Sequence, residues 1–297
     1  MAIKRIELRF HEMNKVVEKS FGYRPSLGRR IIRTFCRLII HIFRLNGRSK
    51  FSNEFMQMLD PKFETQFDGR DLQFRTGNGR LLWRAKTLLT EEPLMISWIK
   101  NMNPNDVVLD VGANVGMYTV PIAQRVKMVY ACELDPLNIA ILKENMVLNS
   151  VHSKVTVLPF ACGKSAGLVD VTFRDLAYGD ALQLIDGGDG LSTRQGKNSH
   201  TASVVQFSLD EILLQLNLQV PNKVKIDVDG NEATVLLGMK NILASAQEVY
   251  FEDSLSESCK KVVEYLIGMG FVIDQSLNQY SKNNLSEIIG VNRIFKK

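Results

Sequence analysis

The sequence predicts an α/β protein: a mostly parallel sheet of seven strands with helices on both faces, an antiparallel edge pair, and a basic helical arm in front. Three stretches predict it. VVLDVGANVGMYTV (107–120) is an apolar strand closed by Asp110 and a glycine turn that leads into a helix-like segment ending near Arg125. MVYA (128–131) is a second apolar strand, with Glu133 just past its end in CELDP. VKIDVDG (224–230) is another, and its carboxyl end presents Asp227, Asp229 and then Glu232. Short apolar runs that each end in an acid before a helical pattern are the signature of buried parallel strands, whose carboxyl ends receive ligands.

The first turn narrows the ligand. A dinucleotide fingerprint has glycines at three fixed positions, but Asn114 holds the second and Met117 the third. Asn114 would crowd a pyrophosphate, and Met117 would hold the helix off the strand. No lysine follows as in a P-loop. Gly112 and Gly116 still give the backbone torsions that side chains forbid. The turn therefore suits an adenosine without a phosphate, with S-adenosylmethionine the obvious candidate. Glu133, about 20 residues downstream, is placed to accept hydrogen bonds from both ribose hydroxyls. A carboxylate only accepts, so it favours a free diol over a 2′-phosphate. Singly, Asp110 or Glu133 reads as a solvated loop acid; in register on two strands they read as a site.

The chain of 297 residues, 45% hydrophobic, can bury a full core, and nothing in it signals disorder. Four scattered cysteines lack metal spacing and no secretory leader is legible, so a reduced, cytoplasmic setting is expected. The formal charge of +5 is uneven: residues 1–50 hold thirteen lysines and arginines against three glutamates, and the remainder is net acidic. Within this arm (1–50), Arg29, Arg33, Arg37, His41 and Arg44 share one helical face. Ile31, Phe35, Leu38, Ile42 and Leu45 lie around the other. Regular arginines exclude a membrane span. Such a helix packs on its own domain or lies on an anionic membrane surface. No aromatic-rich basic motif points to nucleic acid, and none is expected as a partner.

Residues 51–90 form a lead-in. Asp68-Gly69 and Asn78-Gly79 are turn dipeptides between KFETQF, DLQF and RLLWRAK, which predicts a hairpin or meander. The main domain, 91–297, opens with a helix through Lys100, with Glu91 and Glu92 as first-turn acids and Pro93 near its start. A helix follows over 136–149, then a third strand over 155–163 carrying Phe160 and Ala161 at its end. Phe160 suits either an adenine wall or the core. Residues 178–203 are polar and glycine-rich, a length that suggests a lid, with His200 in it. A lone loop histidine is more often a surface residue. A helix capped at Ser208, a helix over 231–243, a strand ending in Glu252, a helix over 259–269 and two last strands complete the reading. Asp229 and Glu232 have a second explanation, as caps of the helix at 231.

Seven stretches together carry a family resemblance: EEPLMISWI, VVLDVGANVGMYTV, YACELDP, ENMVLN, VTVLPFACG, FSLDEI and VKIDVDGNEATVLLGM. From about residue 90 to 297 the chain resembles the FkbM family of S-adenosylmethionine-dependent methyltransferases; the arm lies outside the resemblance. Asp229 and Asn231 stand where that family has glutamate and alanine, and Leu134 where it often has proline. The resemblance implies a Rossmann-like class I methyltransferase fold and methyl transfer to a hydroxyl of a small molecule, sugar or glycolipid. It also implies S-adenosylhomocysteine as the product. The expected cofactor-binding residues are Asp110, Gly112, Ala113, Asn114, Gly116, Glu133, Leu134, Phe160, Ala161 and Asp227. Asp227 and Glu232 are the candidates for activating the acceptor oxygen, with Asp227 also free to serve the cofactor. A divalent metal could assist, but no ligand set predicts one. Two other readings compete: a non-catalytic adenosyl-binding or membrane-peripheral scaffold, and a nucleotide-cofactor oxidoreductase disfavoured by Asn114 and Met117.

Overall fold

The computed structural model describes residues 59–181, 183–185, 199–228, 230–253, 255–274, 279–282 and 288–297, with 31, 34–36 and 38–39 of the arm. Contacts divide the chain into two units, Met1–Asp60 and Pro61–Lys297. In the first, residues 31, 34–36 and 38–39 are helical, and Ile31, Phe35 and Leu38 are exposed. The arginines and His41 of the expected arm helix lie outside the described residues, as does Asp229.

The second unit begins with part of the lead-in. Strands β1 (Lys62–Phe67) and β2 (Arg70–Arg75) pair antiparallel. Asp68 and Gly69 between them have φ of +53° and +73°, the doubly positive turn that Asp-Gly favours. The second turn dipeptide behaves differently from expectation. The Asn78 side chain accepts the Leu81 N–H at 2.9 Å, so RLLWRAK begins a helix, α1 (Gly79–Thr87), rather than a strand. Periodicity decided this: Leu81, Ala85 and Leu88 recur at helical spacing and are buried, while Leu82 and Trp83 are exposed. Helix α2 (Pro93–Lys100) follows, with proline in its first turn.

The parallel core comes next: β3 (Val107–Val111), α3 (Thr119–Arg125), β4 (Met128–Cys132), α4 (Pro136–Leu148) and β5 (Val155–Leu158). β3 pairs with β4, and β4 with β5, all parallel. The strand expected over 155–163 is broken after Leu158. Pro159 has no N–H to give a ladder, and β6 (Ala161–Cys162) joins a second sheet instead. That sheet holds β7 (Gly167–Phe173), β8 (Leu184–Ile185) and β9 (His200–Phe207) in the order β6-β9-β7-β8. It takes up both ends of the stretch read as a lid; residues 182 and 186–198 lie outside the described residues.

After α5 (Leu209–Gln215), β10 (Lys223–Ile226) returns to the main sheet on the far side of β3. The single helix expected over 231–243 is two, α6 (Glu232–Leu237) and α7 (Lys240–Ser245). The break lies at Gly238, where a Cβ would sit 1.9 Å from the Gly163 carbonyl oxygen. The Gly238 carbonyl in turn accepts from Ser208 Oγ and the Asp210 N–H, each at 2.9 Å. β11 (Glu248–Asp253), α8 (Glu257–Gly268), β12 (Val272–Ile273), β13 (Gln279–Lys282) and β14 (Ile288–Lys296) finish the chain. The main sheet reads β12-β14-β11-β10-β3-β4-β5, with β13 also on β14. β14 runs antiparallel to β11, β12 and β13, so the predicted antiparallel edge is present with one strand more.

Alternation along the strands feeds two cores. Val108, Val129 and Ala131 pack with the hairpin and α1–α4, while Val107, Leu109, Val111, Val224 and Ile226 pack with α5–α8. The Gly238 contact joins the second sheet to this second layer. Gly238→Ala is expected to cost about 1–3 kcal/mol of stability through overpacking, read as a lower urea midpoint. An unchanged midpoint would show that the β6 turn yields.

Candidate active site

The chain builds β3, β4 and β5 in one direction and then places β10 on the other side of β3. Strand order reverses between β3 and β10, which is where an open α/β sheet leaves a crevice at its carboxyl edge. A cleft lies there, and Gly112, Asn114, Glu133, Leu134, Phe160 and Asp227 line it together, as the sequence predicts. Ala113 and Asp110 line a smaller cavity beside it. Gly116 and the buried Ala161 line neither, nor do Glu232 and His200. The His200 ring stacks on Phe173 at 5.2 Å in the second sheet.

The glycine turn works differently from a simple approach of ligand to backbone. Gly112 has φ of +84°, and a Cβ there would lie 1.9 Å from the Asp227 carbonyl oxygen. Its bareness lets β10 close against β3. At Gly116, φ is +80° and a Cβ would meet Leu142 Cδ1 at 2.4 Å. Asn114 also takes a left-handed torsion, φ +50°, which asparagine tolerates. Its Nδ2 donates to the Asp180 carbonyl at 2.8 Å, and Asn138 Nδ2 donates to the same oxygen at 3.0 Å. The Asp180 carboxylate is held by Arg80 at 2.9 Å and Arg174 at 2.7 Å. These bonds tie a strap to the turn, and the strap residues Ala181, Gln183 and Ile185 line the cleft.

Glu133 stands just beyond β4 and is buried. One of its oxygens accepts the Asn114 N–H at 2.7 Å and the other the Asp135 N–H at 2.8 Å. Burial pushes its carboxyl up to about 7, although these backbone donors pull it down. Phe160 lines the cleft while packing edge-on against Phe207 at 5.3 Å.

The smaller cavity is built around a buried cation. Lys225 Nζ lies 3.1 Å from Asp110 Oδ1 and 2.9 Å from Asp227 Oδ2. Asp110 also accepts the Thr119 hydroxyl at 2.6 Å. Burial would lower the Lys225 ammonium, but the two carboxylates outweigh it and raise it far above the ordinary range. Burial likewise opposes ionisation of Asp227, yet Lys225 and a hydrogen bond with Glu252 hold its carboxyl below the usual value. Glu92 borders both cavities. Burial and the Asp227 charge push its carboxyl up to about 7, against the pull of Lys225, Tyr250 and Tyr118. Glu232 is buried outside both cavities, where Oε1 accepts the Gly230 N–H at 3.1 Å. Among the described residues, no group of three or more His, Cys, Asp or Glu is arranged to hold a metal.

Sequence reading missed Glu92, Lys225, Arg84 and Tyr250. Lys225 left a signal: a lysine inside the apolar run VKIDV is costly unless paired. Glu92 looked like an ordinary first-turn acid, yet its side chain makes no capping bond. Arg84 and Tyr250 left no signal, since one reads as a surface helix residue and the other as a strand aromatic.

Two outcomes are expected. Glu133→Ala weakens binding of an adenosyl ligand at least roughly tenfold by removing charge-assisted bonds to the ribose; unchanged affinity in calorimetry would contradict it. Lys225→Met leaves the buried Asp110 and the half-buried Asp227 without their cation and costs about 3 kcal/mol at most at neutral pH, solvent reaching Asp227. That loss shrinks as pH falls and the carboxyls take up protons, which urea unfolding at several pH values measures.

The chain is similar to known proteins. Residues 110–273 match the methyltransferase FkbM domain. Over 201 residues, 68% of this chain and 78% of that protein, the chain is 27% identical to the hexuronic acid methyltransferase AglP of Haloferax volcanii. It is 34% identical over 113 residues to a tRNA (guanine(37)-N(1))-methyltransferase of Phytophthora infestans, which spans 37% of this chain and 26% of that one. A crystal structure of methyltransferase FkbM from Methylobacillus flagellatus aligns with 92% of this chain and 72% of its own, with a TM-score of 0.46 at 12% identity. With the domain match covering more than half of its length, from the acid that closes β3 to the end of β12, the protein belongs to the FkbM methyltransferase family.

Proposed function

We propose that the protein transfers a methyl group from S-adenosylmethionine to a hydroxyl oxygen of a small molecule, sugar or glycolipid, with S-adenosylhomocysteine as product. Glu133 carries the reading. Its buried carboxyl lines the cleft beside the glycine turn, and the backbone N–H groups of Asn114, Leu134 and Asp135 that bond it do not offset its burial. A ribose diol supplies the donors it lacks. The residues present therefore fit an adenosyl compound, and Leu134 and Phe160 provide apolar walls for its base.

When bound, S-adenosylmethionine supplies a methyl group on a positively charged sulfur. The chain's own residues orient the reaction, which for an in-line displacement is the larger part of the task. Asp227, kept ionised by Lys225, accepts a hydrogen bond from the acceptor hydroxyl and takes its proton as the S–C bond breaks and the O–C bond forms. Glu232 is a positioning residue, fixing the turn after Asp227 through the Gly230 N–H. The strap held by Asp180 covers the cleft and keeps water from it.

One observation supports a sugar-type acceptor: the similarity to a hexuronic acid methyltransferase spans most of both chains. The similarity to tRNA methyltransferases is the observation that favours a second reading, an RNA acceptor. The basic arm suits peripheral contact with an anionic membrane, where glycolipid acceptors lie. No described helix is long and apolar enough to cross a membrane.

Incubation of the protein with radiolabelled methyl donor and separate pools of uronic acids, glycolipids and tRNA tests this. Alkali-stable label in a sugar or lipid fraction is expected. Alkali-labile label would move the acceptor to a carboxylate, label in tRNA would establish the second reading, and no label in any pool would leave the scaffold reading.

A further inference from the structure

Glu92 occupies the junction of the two cavities, together with Arg84, Gly112, Asn114 and Asp227. Glu133 and Glu92 line the same larger cavity, so a donor whose ribose meets Glu133 has Glu92 on the wall of the space left for its sulfur and amino-acid tail. Glu92 begins α2, yet its side chain spends no bond on capping the helix. It accepts the Tyr250 hydroxyl at 3.0 Å and is also hydrogen-bonded by Tyr118.

The charges around it are set by their pairing. The charged or titratable groups that act on this cluster are Asp227 and Lys225 at the end of β10, Tyr250 and Glu252 of β11, Asp110 of β3, Tyr118 ahead of α3, and Arg84 and Glu91. Lys225 divides its single charge between Asp110 and Asp227, at 3.1 and 2.9 Å. Three acids thus share one buried lysine, and the arrangement comes closest to neutral with a proton on Glu92. A cation arriving at the junction can take the place of that proton.

We propose that Glu92 receives a positive group of the bound methyl donor and releases its proton to solvent as it does so. No bond to the donor forms or breaks in this step: the carboxyl O–H ionises and the resulting carboxylate pairs with the cation. The donor has two positive groups, the sulfonium and the α-ammonium, and the shared chemistry is a cation meeting a carboxylate. Burial beside Asp227 brings the Glu92 carboxyl to about 7, so the exchange falls in the working pH range. The sign follows from linkage. An empty site protonated below about pH 7 must lose that proton on binding, so affinity falls as pH drops and levels off above pH 7. If the sulfonium is the partner, methyl transfer removes it, Glu92 takes back a proton, and the product is held less tightly.

The inference rests on the cofactor reading above. Calorimetry on the full chain tests it with three probes: S-adenosylmethionine, S-adenosylhomocysteine, and 5′-methylthioadenosine, which keeps the ribose but neither cation. Titrations run at pH 6 and 7.5, in buffers of different ionisation heat, on wild type and Glu92→Gln. For the donor, wild type is expected to release about one proton at pH 6 and to lose roughly tenfold in affinity between pH 7.5 and 6. Glu92→Gln flattens both, while methylthioadenosine gives the same profile in the two proteins, any slope being left to Glu133. Linkage shared by S-adenosylhomocysteine assigns the ammonium, and linkage confined to the donor assigns the sulfonium; each supports the proposal. Tyr250→Phe removes a donor that lowers the Glu92 carboxyl and is expected to move the midpoint to higher pH. A Glu92→Gln profile that matches wild type would overturn the proposal. So would a Glu92-dependent slope with methylthioadenosine equal to that of the donor. Failure of all three probes to bind the folded protein would remove the cofactor reading and this proposal with it.

Discussion

The Lys225 ammonium, shared between Asp110 of β3 and Asp227 beyond β10, is the interaction on which the site depends. These two strands meet where the chain reverses its order across the sheet. A sheet crevice at that point is a consequence of topology, but its walls would repel one another if both acids were ionised without a cation. Lys225 removes that repulsion from below the cleft floor, so both carboxylates persist in a buried place. Gly112 completes the closure, because only a residue without Cβ permits the Asp227 carbonyl to come so near β3.

The same ion triad sorts the acids by protonation. Asp227, beside Lys225, is held ionised, whereas Glu133 and Glu92 are pushed up toward neutrality by burial. Chemically similar side chains therefore differ in charge: one is held negative, and two are pushed toward the neutral form. A crevice arranged this way is suited to a cationic adenosyl compound and ill suited to a phosphate.

The second sheet gives the cleft its cover. Pro159 ends β5 and sends the chain outward into β6, and the strap returns to the glycine turn through Asp180, Asn114 and Asn138. Asn114 thus links the glycine turn to a segment that lines the cleft. The residue that disfavours a dinucleotide in the sequence is the one that bonds this segment.

The sequence by itself determined the parallel strands, their acidic tips, the crevice between them and the antiparallel edge. Each is a local pattern of apolar runs and turn residues, set by periodicity and backbone freedom. It also held a legible clue to Lys225, a charge inside an apolar strand. Tertiary structure alone decided what lies opposite what. Glu92 meets Tyr250 across 158 positions of chain, and Glu232, adjacent in sequence to the acids of VKIDVDG, turns out of the cleft. The division of one helix at Gly238 was likewise decided by contact with distant backbone. Such pairings depend on strand order and crossover geometry, which no short stretch of sequence encodes.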